Sequence, residues 1–67
     1  MQIRNSIKRC RKERRITQKE LANRLGWSLR RLQSYEQGKR KISAFDAILL
    51  ADALNTTVID IMKKEES

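Results

Sequence analysis

The chain contains no histidine and no proline, one cysteine, two glycines and one each of Trp, Tyr and Phe among 67 residues. Each scarcity removes a class of function. Without histidine, the common His-based catalytic arrangements are excluded. A lone Cys10 cannot build a disulfide framework or a zinc finger. No apolar run approaches the ~20 residues that span a bilayer. Residues 1–15 are charged throughout and lack an apolar core segment, so no signal peptide is expected. No nucleophile–base pair, metal-ligand set or phosphate-cradling glycine loop is present. The reading is therefore a non-enzyme with no cofactor and no metal, working in the cytoplasm.

What is abundant is positive charge, and it is unevenly spread. Residues 1–41 hold 14 Lys and Arg against 3 Glu, while residues 42–67 hold 2 Lys against 5 Asp and Glu, so +11 and −3 make the net +8. A basic first two-thirds suits a polyanion, and the acidic remainder suits something else. Composition alone does not choose between nucleic acid and an anionic membrane. The narrow apolar stripe of the first helical segment, however, argues against a membrane.

Helical spacing recurs along the chain, with no sustained alternation of the strand kind. The spacing predicts five helices in one domain, residues 1–67. The first covers residues 2–14, with Ile3, Ile7 and Cys10 inward. Its other faces are basic, including Arg4 and Lys8, and read as a solvated surface supplying long-range field. The second opens on Thr17 with Glu20 three residues later, a capping box, and Ile16 and Leu21 are placed to form a hydrophobic staple. Leu21, Ala22 and Leu25 form its buried stripe, and Gly26 follows as a residue tolerant of positive φ. The third helix is capped by Ser28 and closed by Gly38. Leu32, Tyr35 and Glu36 face inward; Leu29, Arg30, Arg31, Gln33, Ser34 and Gln37 face outward. A basic loop, Lys39, Arg40 and Lys41, leads to a fourth helix over residues 43–54. Its expected core stripe is Ala44, Ala47, Ile48, Ala51 and Leu54, with Asn55 at its left-handed end. A short fifth helix over residues 57–62 is capped by Thr57, and residues 63–67 are expected to fray.

Two short helices joined by the tight turn 25–28 form the informative segment. Such a turn projects the second helix, whose outer face then needs hydrogen-bonding side chains near its start. Arg30, Gln33 and Ser34 meet that need. The string T-Q-x-E-L-A-x-x-L-G-x-S, followed by L-x-x-Y-E-x-G-K-R, resembles the helix-turn-helix domain of the phage repressor and Cro type, the xenobiotic-response-element family of bacterial transcriptional regulators. The likeness runs on through L-N-T-T-V-I-D-I-M and covers nearly the whole chain.

The resemblance implies an all-α fold, a five-helix bundle that reads double-stranded DNA, commonly a palindromic operator bound by a homodimer. It implies base contacts from Leu29, Arg30, Gln33 and Ser34. It implies backbone contacts from Gln18, Ser28, Arg31, Gln37, Lys39, Arg40 and Lys41, and an internal salt bridge between Arg11 and Glu36. The implied role is a transcriptional regulator, a repressor, associated with the nucleoid when bound. An antitoxin-like protein that holds a partner and controls its own promoter is the alternative. The chemistry of the residues is compatible with these roles: Arg pairs bidentately with guanine, Gln with adenine, and Leu29 can meet a thymine methyl. The blander reading makes Arg30 and Gln33 solvated helix surface and residues 39–41 an ordinary charged loop.

This chain departs from the family pattern at four places. Trp27 stands where a small or β-branched residue is common, and serves either as packing or as a donor to the DNA backbone. Arg15 occupies a helix end usually given to Gly or Asn. Phe45 and Leu49 replace polar residues. They are either additional core or, with Val58 and Ile59, a dimer or partner contact. Cys10 reads as a small core residue rather than a redox sensor.

Overall fold

The computed structural model describes the backbone of residues 3–63 and 65–66, and the side chains of residues 5–63. Five helices are present among these residues: α1 (Ile7–Glu13), α2 (Gln18–Leu25), α3 (Leu29–Glu36), α4 (Ala44–Ala53) and α5 (Val58–Ile61). Two-residue segments β1 (Ile3–Arg4) and β2 (Glu65–Glu66) pair antiparallel, with Ile3 opposite Glu66 and Arg4 opposite Glu65. The architecture is all-α in its core, with this short clasp joining its ends.

Hydroxyl caps start four of the helices. Thr17 accepts from the Glu20 amide and Glu20 answers by accepting from the Thr17 amide, completing the capping box. Ser28, Ser43 and Thr57 each accept from the backbone N–H three residues on. Each bond satisfies one donor that a helix start would otherwise leave unpaired.

The helix ends follow one scheme. After α1, α2, α3 and α4 comes a left-handed residue, respectively Arg15, Gly26, Gly38 and Asn55. In each case the following residue's N–H reaches back five residues, as in Trp27 to Ala22 at 2.9 Å and Thr56 to Ala51 at 2.9 Å. These are Schellman motifs, which occupy the last carbonyls of a helix. Glycine adopts this conformation without penalty at Gly26, whereas Arg15 holds it at φ 56° against its own Cβ.

Three boundaries and faces differ from the sequence expectation. The first helix starts at Ile7 rather than residue 2, and Ile3 lies in β1; Gln2 is outside the described residues. The cause is local. Asn5 Oδ1 accepts from the Ile7 amide and Asn5 Nδ2 donates to the Tyr35 carbonyl at 2.8 Å. Ser6, fully buried, donates through its amide to Ile61 O and through its hydroxyl to Lys63 O. Side chains that bond the backbone in this way stop a helix from extending toward the N-terminus. The tail expected to fray instead supplies β2; residues 64 and 67 lie outside the described ones.

The fourth helix buries only part of the expected stripe, Ala47, Ala51 and Leu54. Asp46, Ala47, Leu50, Ala51 and Leu54 are buried, while Ala44 is exposed and Ile48 is 57% exposed. Its sequence AFDAILLADA is apolar nearly all round, so periodicity supports more than one stripe. The charged Asp46 lies on the inner face because α3 provides its partners.

The core gathers Ile7, Cys10, Leu21, Ala22, Leu32, Tyr35, Leu50, Ala51, Leu54 and Ile61. Ile16, Leu25, Trp27, Ile42 and Val58 pack around it, half-buried. Val58 therefore contributes to the core and is not a free surface residue. Among the described residues, no helix is long and apolar enough to cross a membrane.

Candidate nucleic-acid interface

The turn between α2 and α3 is built from both sides. The Schellman motif at Gly26 ends α2, Trp27 continues the chain, and the Ser28 cap begins α3. Trp27 packs edge-on against Tyr35, ring centroids 5.3 Å apart and planes at 60°. An edge-to-face aromatic pair of this kind adds to simple area burial. The turn is thus anchored to the core by its largest side chain.

Helix α3 divides into two faces. Leu32, Tyr35 and Glu36 are buried. Leu29, at 41% exposure, and Arg30 stand outward, with Gln33 and Ser34 half-buried beside them and Gln37 exposed at its end. Lys39, Arg40 and Lys41 are exposed in the loop that follows, and Arg40 also lies over the Tyr35 ring at 5.4 Å.

The single acid of α3 is removed from that outer face. Glu36 accepts from Arg11 Nε at 2.9 Å and Arg11 Nη2 at 3.2 Å, a bidentate pair closed off from water. Arg11 Nη1 also donates to the Ile16 carbonyl at 2.9 Å. The exposed side of α3 and the 39–41 loop therefore carry only positive charge. Such a field attracts a polyanion and is screened by salt.

Gln18, at the first position of α2, bridges the two helices. Its Nε2 donates to Glu36 Oε1 at 3.2 Å, and its Oε1 accepts from Gln33 Nε2 at 3.3 Å. Gln18 and Gln33 are consequently oriented by the buried pair before anything binds.

Arg31 is placed differently from an outward phosphate-reaching residue. Its Nη2 donates to Asp46 Oδ2 at 2.7 Å, and its guanidinium carbon sits 4.2 Å from the Trp27 ring centroid. The Tyr35 hydroxyl donates to the same Asp46 carboxylate. The Tyr35 bond first, and the Arg31 bond second, hold the Asp46 carboxyl below the usual carboxylate range. Arg31 thus ties α3 to α4 and shields one face of Trp27. Ser28, exposed, has its hydroxyl committed to the Arg31 amide.

Sequence reasoning missed a second acidic hub. Asp60 accepts from Arg9 Nη2 at 2.9 Å, Cys10 Sγ at 3.2 Å and Thr56 Oγ1 at 2.8 Å. The Cys10 and Thr56 bonds, with Arg9 behind them, hold its carboxyl well below the ordinary range. Burial first, and the Asp60 bond second, push the Cys10 thiol up, so it stays neutral. Asp46 and Asp60 each lie in the first turn of a helix, where their backbone N–H donates to the cap. Their partners lie far away in sequence, and no local signal points to them.

Apolar residues on α4 and α5, which pack on each other, remain uncovered. Phe45 is 68% exposed and Ile59 77% exposed; Leu49 is half-buried. Ile48, expected in the core stripe of the fourth helix, and Met62, outside the expected contact set, join them as exposed apolar residues. No group of three or more His, Cys, Asp or Glu that could hold a metal occurs among the described residues.

Comparison with known proteins agrees with this architecture. No curated protein sequence matches the chain. Among solved structures, the fold is similar to the restriction-modification controller protein C.AhdI from Aeromonas hydrophila. That likeness has a TM-score of 0.78 at 23% identity, over 84% of this chain and 85% of the other. The family described as helix-turn-helix matches residues 7–61, which includes all five helices and the turn at Gly26. With the paired helices, the left-handed turn and that match in agreement, this chain belongs to the helix-turn-helix family.

Proposed function

We propose that this protein is a sequence-specific double-stranded DNA-binding regulator of transcription, acting as a repressor. The observation that carries the reading is the outer face of α3. Its one acid is buried against Arg11, and it borders an exposed loop of three consecutive cations. In this reading α3 enters the major groove, and Leu29, Arg30, Gln33 and Ser34 meet base edges. Lys39, Arg40, Lys41, Gln37 and Gln18 contact the phosphate backbone, which positions the protein without reading sequence. Arg31 reaches a phosphate only with the part of its guanidinium that Asp46 leaves open. Similarity to a restriction-modification controller protein supports a regulatory role. The protein works in the cytoplasm, at the nucleoid when bound.

A homodimer on a palindromic operator fits the uncovered apolar residues Phe45, Leu49 and Ile59, with Ile48 and Met62 beside them. Two half-sites one helical turn apart (~34 Å) multiply a modest affinity per domain. Fluorescence anisotropy after in vitro selection tests the reading: a selected palindrome must bind far more tightly than random DNA. Equal affinity for both would refute it. Phe45→Lys with Ile59→Lys should yield a monomer by sedimentation and weaken binding to the full palindrome.

A second reading uses the same apolar surface for a different protein, as an antitoxin that controls its own promoter. Its support is the size of the exposed side chains, Phe45 at 68% and Ile59 at 77%. A toxin-like reading frame beside the gene would favour it.

A further inference from the structure

Two flanks border the outward face of α3, and they are built differently. On one, Arg31 bonds Asp46 of α4, Arg40 lies over the Tyr35 ring, and the 39–41 loop supplies exposed cations. On the other, Glu36 and Gln33 turn toward Arg11 of α1 and Gln18 of α2. A groove of duplex DNA has a phosphate backbone on each side, so a helix lying in it meets two rows of negative charge. On the second flank the backbone contact proposed above from α1 and α2 is Gln18, which is uncharged.

Positive charge is nevertheless present there, on α1. Lys8 and Arg15 stand three residues before and four after Arg11, one turn to either side of it, and Lys12 follows Lys8 by four. All three are exposed, and none of them has an ion-pair partner among the described residues. The neighbouring acids are engaged elsewhere: Glu13 by Arg9 and Arg14, Glu20 by the Thr17 cap, Glu36 by Arg11 and Gln18. Arg15 is also held at φ 56°, a conformation left to glycine after α2 and α3. Its side chain makes no contact in the free protein that would offset this strain. Strain of this kind gathers where a residue serves a ligand. We propose that Lys8, Lys12 and Arg15 form a second phosphate-binding edge, which meets the DNA backbone on the side of α3 away from the 39–41 loop; this rests on the proposed entry of α3 into the major groove. The edge reads no sequence, so it tightens binding to every duplex and adds to its salt dependence. A charge acting only through the long-range field would work from any place on the surface, whereas a phosphate contact works only from this one.

The test separates place from charge. An operator is first selected in vitro, and binding to it and to a random duplex is titrated at several salt concentrations. Arg15→Gly should melt higher than the wild type yet bind both duplexes roughly three- to tenfold more weakly. Its slope of log affinity against log salt should fall by about 0.9. Arg15→Lys keeps the charge and the left-handed backbone, so it should retain the slope. Lys8→Gln with Lys12→Gln should lower the slope by about 1.8. Lys63→Gln removes one exposed charge just beyond α5 and should leave the slope as it is. Ethylation of operator phosphates should block the wild-type protein at a position where Arg15→Gly no longer responds. A wild-type slope retained in Arg15→Gly, or a fall as large in Lys63→Gln, overturns the edge while leaving operator binding in place. Failure to select any operator instead removes the DNA-reading proposal, and the edge falls with it.

Discussion

Arg11 and Glu36 form a two-pronged ion pair, 2.9 and 3.2 Å, between the first helix and the last turn of the third. Their side chains are 10% and 3% exposed, so the pair lies out of reach of solvent screening. Breaking such a pair from one side leaves a charge buried without compensation. Glu36→Leu should therefore destabilise the fold by about 3–5 kcal/mol. The double variant Arg11→Met with Glu36→Leu should recover much of that loss, because no charge remains. Urea unfolding of the two variants measures the difference.

Arg15 offers the opposite experiment. Its backbone is held at φ 56° at the end of α1, where the equivalent position after α2 and α3 is glycine. Arg15→Gly should raise stability by about 0.5–1 kcal/mol, the relief of left-handed strain less the added freedom of glycine in the unfolded chain. A melting temperature unchanged or lowered by the substitution would show that Arg15 makes a compensating contact.

Arg30 and Lys39 separate reading from attraction. Arg30→Ala should weaken specific binding more than binding to random DNA, while Lys39→Ala should weaken both alike. Removing a phosphate contact at Lys39 should also reduce the slope of log affinity against log salt by about 0.9. Titrations at several salt concentrations distinguish the two, and matched losses for both variants on both DNAs would contradict the division.

Acid should unfold the protein through two carboxylates. Asp46 and Asp60 both titrate lower in the folded chain than unfolded, the first through Tyr35 and Arg31, the second through Cys10, Thr56 and Arg9. A depressed carboxyl contributes stability above its unfolded value near pH 4, and that contribution fades as pH falls below it toward the folded value. Stability should thus decline below about pH 4. Asp60→Asn should be less stable at pH 7 and show a shallower acid decline, as read from melts at graded pH.

The parts legible in the sequence are those whose physics is local. Thr17 with Glu20, Ser28 and Thr57 announce helix starts within a span of four residues, and all three cap as read; Ser43, read only as the first residue of the fourth helix, caps it too. Gly26, Gly38 and Asn55 announce ends for the same reason. The start of α1 was also written locally, in Asn5 and Ser6, but the apolar spacing of Ile3, Ile7 and Cys10 outweighed it. The inner face of α4 was legible only in part: Ala47, Ala51 and Leu54 are buried as expected, Ala44 and Ile48 are not. Nearly every position there is apolar, and the choice is made by Tyr35 and Arg31 gripping Asp46 from α3. Asp60 was hidden likewise, since its partners Arg9 and Cys10 lie 51 and 50 residues away. At the interface, the outward set on α3 followed from helical geometry. The link from Gln18 to Gln33 required the two helices to be placed in space.

The clasp of β1 and β2 brings Ile3 opposite Glu66. Donor and acceptor dyes attached at these two positions would start within a few ångströms of each other across one strand pair. Their transfer efficiency would fall when the clasp parts, even while the five helices remain folded. The two ends therefore form a built-in gauge of partial opening, distinct from any signal that follows helix content.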